Sequence, residues 1–203
     1  AILTGASTYH VFEKGEEITA TARKFHDAEE YYDMYNTALY IDTNRKCTFY
    51  HKSKLVPGVE RMPFPGIFKY FEKYAIELGG TSGSLATQEE RTVLSDQIYD
   101  VNVAPAVCYE SVYGDFMAEY IRKGANIISI ITNDGWWGNT PGHRQHLAYA
   151  KLRAIETRKH IIRSANTGIS CFIDEMGNIT QPQPYWEFAV INQNVSLNSV
   201  KTF

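Results

Sequence analysis

The sequence predicts an α/β fold of packed layers with mixed sheets, and three observations carry that prediction. β-rich runs alternate with stretches of helical period, in the order β, ββ, α, β, α, β, α, ββ. Two pairs of β runs are joined by turns short enough for hairpins, whereas the runs around Ala104 and Ile128 are separated by a helical stretch, the spacing of a β-α-β crossover. Hydrophobic residues make up 44% of the 203 residues and charged residues 21%, the balance of a packed domain rather than a disordered chain. No repeat, low-complexity tract or linker divides the chain, so a single domain over residues 1–203 is expected.

"ILTGAS" reads as a short first strand. Residues 13–33 are polar and charged without a clean period, which predicts a surface loop or insertion. "YNTALYID" and "KCTFYHK" are β-rich and joined by "TNR", a hairpin. "LVPGVERMPFPG" holds three prolines and two glycines and must be an ordered loop or a lid. "IFKYFEKYAIEL" has helical spacing and stops at Gly79-Gly80. "YDVNVAPAVCYE" reads as a strand, "GDFMAEYIRKGAN" as a short helix capped by Gly124, and "IISIITN" as a buried strand. "DGWWGNTPG" is a glycine-rich loop. A long helix is expected over residues 142–164, with Ala148, Leu152, Ile155 and Ile162 on its apolar face. "GISCFID" and "ITQPQP" close the chain as a second hairpin around Met176-Gly177-Asn178.

Composition excludes several function classes. The 20 basic and 23 acidic side chains leave a formal charge of -3, which gives no electrostatic footprint for nucleic acid. No stretch reaches the roughly 20 apolar residues of a membrane span. Cys47, Cys108 and Cys171 are odd in number and far apart, which fits neither a disulfide framework nor a zinc knuckle. Cys47 and Cys171 read as core residues. His143 and His146 stand three apart with His160 distant, which is no metal-binding pattern, and no cofactor motif is present. The chain opens "AILTGAST", already a strand entering a turn, and reads as a piece of a longer protein.

Three residues can carry chemistry. Cys108 by its local sequence reads first as a small buried hydrophobe. Its place at a strand-to-helix junction gives the other reading, because unpaired N–H groups at a helix start lower a thiol pKa and hold an oxyanion. Lys52 ends a hairpin strand, where a solvated edge charge is the default, and Lys54 competes for any special role. As a fixed cation beside a thiolate it would stabilise a tetrahedral intermediate. Glu60, in the proline-rich loop, would orient that lysine if the loop folds over the site. The two tryptophans of "DGWWG" follow a strand C-terminus, where α/β folds bind ligands.

Taken together, "YHKSKLVPGVE", "VCYE" and "NDGWWG", followed by "HLAYAKLRAIETRKHIIRSANTGIS", resemble the nitrilase, or carbon-nitrogen hydrolase, superfamily. Within it they most resemble the periplasmic domain of the apolipoprotein N-acyltransferases, from about Thr4 to the second hairpin. The resemblance implies a nitrilase-like α-β-β-α sandwich with a Glu-Lys-Cys triad. It makes Cys108 the nucleophile, Lys52 the triad lysine and Glu60 the lysine-supporting carboxylate. It makes Tyr109, Glu110 and Trp136 binding residues. It implies a phospholipid acyl donor, a diacylglyceryl apolipoprotein acceptor, no metal or cofactor, and a membrane held by segments outside this chain, at the periplasmic face of the bacterial inner membrane. The family's general-base glutamate would lie upstream of Ile2, since Glu13, Glu16 and Glu17 come too late. The chain alone is therefore expected to be inactive. Two rival readings are a soluble amidase of the same superfamily acting on small amides, and a catalytically dead module that keeps the fold.

Overall fold

A computed structural model describes residues 1–57, 60 and 85–202. The helix expected over residues 67–78, and most of the proline-rich loop, lie outside the described residues.

Two sheets form the body. The first contains β1 (Ile2–Val11), β2 (Arg23–Lys24), β3 (Tyr31–Ile41) and β4 (Cys47–His51). β3 is its spine: β1 runs antiparallel along one edge from Ile2↔Ile41 to Val11↔Tyr32, and β2 and β4 share the other. The first strand is longer than "ILTGAS" because the ladder with β3 continues to Val11. The polar stretch 13–33 is partly strand for the same reason: β3 begins at Tyr31, and Arg23–Lys24 pairs with it.

The second sheet has the order β10-β9-β8-β7-β6-β5, built from β5 (Leu94–Asp96), β6 (Val101–Val107), β7 (Ile127–Thr132), β8 (Ile161–Ala165), β9 (Cys171–Ile173) and β10 (Ile179–Thr180). Its centre, β6-β7-β8, is parallel, and its flanks are antiparallel. The crossovers are α1 (Gly114–Arg122) and α2 (Gly142–Thr157). Parallel neighbours need such crossovers, and strands covered on both faces read as the apolar run "IISIIT" does. β5 was invisible in sequence because "LSD" is too short and polar to show a period.

The core joins Ala38 and Tyr50 of the first sheet to Ala104, Ala106, Ile128 and Ile130 of the second, with Phe116, Met117 and Tyr120 of α1 and Ala150 and Ala154 of α2 packed outside. Where the sheets approach, a Cβ at Gly5 would lie 2.9 Å from Ile131, so only glycine lets β1 pass β7 this closely.

Three expectations are corrected. The long helix ends at Thr157, not near Ser164. Arg158 takes the left-handed conformation (φ 53°, ψ 41°) that closes it, and the β-branched pair Ile161-Ile162 enters β8. The buried face of α2 is also not the predicted apolar one. His143, His146, Leu147, Ala150, Arg153, Ala154 and Thr157 are buried, while Ala148, Leu152 and Ile155 are exposed. Of the polar members of that face, Thr157 donates to the Arg153 carbonyl of its own helix at 2.6 Å, His146 bonds Asp134 at 2.9 Å, and the His143 ring stacks on Tyr185 with centroids 4.3 Å apart. Cys47 is exposed rather than core, whereas Cys171 is buried as expected. Among the described residues no helix is long and apolar enough to cross a membrane.

Candidate active site

β6 delivers its chain end to the edge of the second sheet, and there the backbone turns sharply. Cys108 opens a 3-10 turn (Cys108–Val112) with φ of 56°. This is the left-handed region, which costs a non-glycine residue roughly 1–2 kcal/mol. The turn feeds α1 at Gly114.

The buried carboxylate of Glu110 ties this turn to the lysine strand. One oxygen accepts from the Val107 N–H at 2.9 Å. The other accepts from the Tyr50 hydroxyl at 2.8 Å and from the N–H groups of Ser53 and Lys54 at 2.7 and 3.0 Å. Burial pushes the Glu110 carboxyl up from its ordinary range, and the Val107 N–H, the Tyr50 hydroxyl, the Lys54 N–H and the Lys52 charge pull against it. All four hydrogen-bond partners are donors, which suits the ionised form.

Lys52 is not a solvated edge charge. It leaves β4 inward, is 0% exposed, and its N–H donates to the Asn36 carbonyl at 2.8 Å. Its Nζ donates to both oxygens of Glu60, at 2.8 and 2.7 Å. Glu60 is buried too, and also accepts from Asn36 Nδ2 and the Val56 N–H. A carboxylate at Glu60 makes the burial of this ammonium tolerable.

Between β1 on one sheet and β6–β8 on the other opens a cleft of about 1660 Å³, and Cys108, Glu60, Asn36, Trp136 and Trp186 are among its walls. Of the three expected binding residues only Trp136 lines it. Glu110 is engaged in the interior on both oxygens, and the half-buried ring of Tyr109 meets Tyr113 edge-on, with centroids 5.9 Å apart. Trp136 is fixed by an indole N–H donated to the Asn133 carbonyl at 2.5 Å.

On the far side of Cys108 stands a second polar cluster. Asp134 accepts from Thr132 Oγ1 at 2.9 Å and from Arg163 at 2.7 Å, and bonds His146 Nδ1 at 2.9 Å. His146 Nε2 lies 3.1 Å from the carbonyl oxygen of Cys108. A Cβ at Gly168 would lie 2.3 Å from Asp134 Oδ2, so glycine is required where the β8–β9 loop passes this carboxylate. Sequence reasoning missed Asp134, His146 and Arg163. The available signal was a polar helix face repeating at His143, His146 and Arg153, which a search for apolar periodicity passes over.

The two clusters set the charge around the thiol. Burial pushes the Cys108 thiol up; the Lys52 ammonium and a hydrogen bond with Thr132 pull it down, and the carboxylates of Glu60 and Asp134 add to the upward push. Burial alone would raise the Asp134 carboxyl, but the bond to His146 and the charge of Arg163 overcome it and hold the group well below the usual carboxylate range. No group of three metal-ligating side chains occurs among the described residues.

A deep thiol at a strand end, with a buried lysine–glutamate pair across the sheets, defines a class of fold and site, and comparison with known families agrees. The chain belongs to the carbon-nitrogen hydrolase family, whose model matches residues 11–203. It is similar to the apolipoprotein N-acyltransferase of Chlorobaculum tepidum, 33% identical over 194 residues, covering 94% of this chain and 35% of that protein. It is similar to the enzyme of that name from Aquifex aeolicus, 32% identical over 179 residues, covering 85% of this chain and 39% of that protein. The chain thus spans little more than a third of these relatives. Among solved structures, a Saccharomyces cerevisiae member of branch 10 of the nitrilase superfamily superposes with a TM-score of 0.56 at 17% identity, covering 77% of this chain and 51% of that one. An amidase from Nesterenkonia sp. gives 0.54 at 17% identity, covering 76% and 52%. These likenesses carry the nitrilase fold expected from the motifs.

Proposed function

We propose that this domain performs the acyl transfer of an apolipoprotein N-acyltransferase at the periplasmic face of the bacterial inner membrane. The observation that carries the reading is that Cys108 shares a cleft wall with Glu60 and feels the charge of the buried Lys52–Glu60 pair, in a chain about a third identical to enzymes of that name.

The reaction divides into two halves around one thioester. In the first, the Cys108 thiolate attacks the ester carbonyl of a phospholipid. The carbon becomes tetrahedral, and its oxygen takes the negative charge. Lys52 and the backbone N–H groups of the Cys108 turn stabilise that oxyanion. Collapse expels the lysophospholipid as an alcohol, which takes the proton lost by the thiol, and leaves the acyl group on sulfur. In the second half, the α-amine of a diacylglyceryl-cysteine lipoprotein attacks the thioester. The amide forms, the C–S bond breaks, and the amine's proton returns to the thiol. A thioester suits an amine acceptor because it is more reactive toward amines than the ester it came from. Glu60 holds Lys52 in place. Glu110 ties the turn to the lysine strand, Tyr109 supports the turn, and Trp136 offers an apolar wall for the acyl chain.

The test uses the full-length protein with phospholipid and a synthetic diacylglyceryl lipopeptide, read by mass spectrometry. N-acylated lipopeptide is expected, and Cys108→Ala should remove it, by at least ~10³-fold. Hydrolysis of small amides with no lipopeptide acylation would sink this reading in favour of an amidase.

A further inference from the structure

The chemistry above uses Lys52, Glu60 and the turn at Cys108, but not the buried ring of His146. Its surroundings are unusually complete. Arg163 is anchored by donating to the Ile169 carbonyl at 2.6 Å, and it holds Asp134 at 2.7 Å. Asp134 is held again by Thr132 at 2.9 Å and bonds Nδ1 of His146, also at 2.9 Å. Residues from the end of β7, the loop after it, α2 and β8 therefore converge to fix one imidazole. That ring points at the main chain of the proposed nucleophile: Nε2 is 3.1 Å from the Cys108 carbonyl and 3.1 Å from Ser111 Oγ. Ser111 donates to the same carbonyl at 3.0 Å. A carboxylate only accepts, so Nδ1 carries a hydrogen. A clamp on the carbonyl requires a hydrogen on Nε2 as well, so that the ring donates beside the Ser111 hydroxyl.

We propose that His146 is a positioning residue: anchored by Asp134 and Arg163, it clamps the Cys108 carbonyl and so holds the left-handed turn that aims the thiol into the cleft. A non-glycine residue stays left-handed only where its surroundings over-determine it, and the Ser111 hydroxyl together with a protonated Nε2 at 3.1 Å on the same carbonyl would do that. Rotating the peptide plane after Cys108 would move that carbonyl off both donors. It would also turn the following N–H away from the place an oxyanion occupies. This inference rests on the reading of Cys108 as the nucleophile, but His146 would touch neither substrate nor the reacting atoms.

The test compares three variants of the full-length protein. His146→Phe fills the ring's space and donates nothing. His146→Gln keeps a side-chain N–H able to reach the carbonyl. Ser111→Ala removes the second donor and little volume. The readouts are the rate of Cys108 alkylation by iodoacetamide, followed on its own peptide by mass spectrometry, together with kcat, KM and the melting temperature. His146→Phe is expected to slow alkylation and lower kcat by about tenfold or more with KM little changed, the loss of one buried hydrogen bond on an ordered turn. His146→Gln should recover most of that loss, and Ser111→Ala should slow alkylation by about threefold. The proposal is overturned if His146→Phe alkylates at the unsubstituted rate, whatever Ser111→Ala does. It is equally overturned if His146→Gln is as slow as His146→Phe at an unchanged melting temperature. Alkylation needs no lipid, so a protein that fails to acylate lipopeptide yet shows this order of rates would remove the proposed function and leave the positioning role standing.

Discussion

Cys108 sits between two buried charged clusters that are built oppositely. On the first-sheet side one cation, Lys52, faces Glu60 at 2.7 Å, with the carboxylate of Glu110 behind the same loop. On the α2 side one carboxylate, Asp134, lies between Arg163 at 2.7 Å and His146 at 2.9 Å. The first cluster reaches the cleft through Glu60, while Asp134, His146 and Arg163 of the second are sealed from it and meet Cys108 through Thr132, which bonds the thiol, and through His146, at the Cys108 carbonyl. The lesson is a division of labour. The Lys52–Glu60 pair turns its carboxylate to the open wall with the cation buried behind it, where we propose that it meets developing charge, and the groups proposed to hold the turn are sealed on the far side of Cys108.

Breaking the open cluster should cost the most activity. Lys52→Met removes the proposed oxyanion partner and leaves Glu60 buried without its cation. Lipopeptide acylation is expected to fall by at least ~10³-fold. Because burial already raises the Cys108 thiol and Lys52 pulls it down, the pH midpoint of Cys108 alkylation should move further above the ordinary thiol value of about 8.5. A midpoint unmoved by Lys52→Met would place the lysine away from the thiol.

Breaking the sealed cluster should cost stability first. Arg163→Met takes the guanidinium away from Asp134, which is 0% exposed, and leaves only His146 and Thr132 to hold the buried carboxylate. Denaturant unfolding should show a loss of about 3–5 kcal/mol. A loss under about 1 kcal/mol would mean that the pair is not buried in solution.

A smaller effect separates the clusters by pH. Asp134 is depressed when folded, so the stability it contributes is fully present above the unfolded carboxylate value of about 3.9 and is lost as pH falls through the lower folded value. Asp134→Asn should therefore be less stable near neutrality, and its stability should fall less steeply between about pH 4 and about 2 than that of the unsubstituted protein. Parallel acid-unfolding curves would contradict the assignment.

The same contrast explains what was legible in the sequence. The parallel strands could be read because "IISIIT" is apolar on both faces, and the hairpins because turn residues sit at the right spacing. The open cluster could be read because Lys52, Glu60 and Cys108 fall within motifs whose order resembles the family. The sealed cluster could not. Asp134, His146 and Arg163 are scattered over 30 residues, and nothing local marks a histidine or arginine as interior until tertiary contacts supply its partners. The overlong helix came from the same limit. Residues 158–164 suit a helix or a strand by composition, and only pairing with β7 decides for the strand.

The central claim is that Cys108 carries the acyl group, and it can be seen directly. Full-length protein is incubated with phospholipid and no acceptor, quenched in acid and digested, and the Cys108 peptide is weighed. The account predicts an added acyl mass on that peptide, released by hydroxylamine and discharged when a diacylglyceryl lipopeptide is added. An unmodified Cys108 peptide from a preparation that acylates lipopeptide, or an adduct that persists in Cys108→Ala, would contradict it.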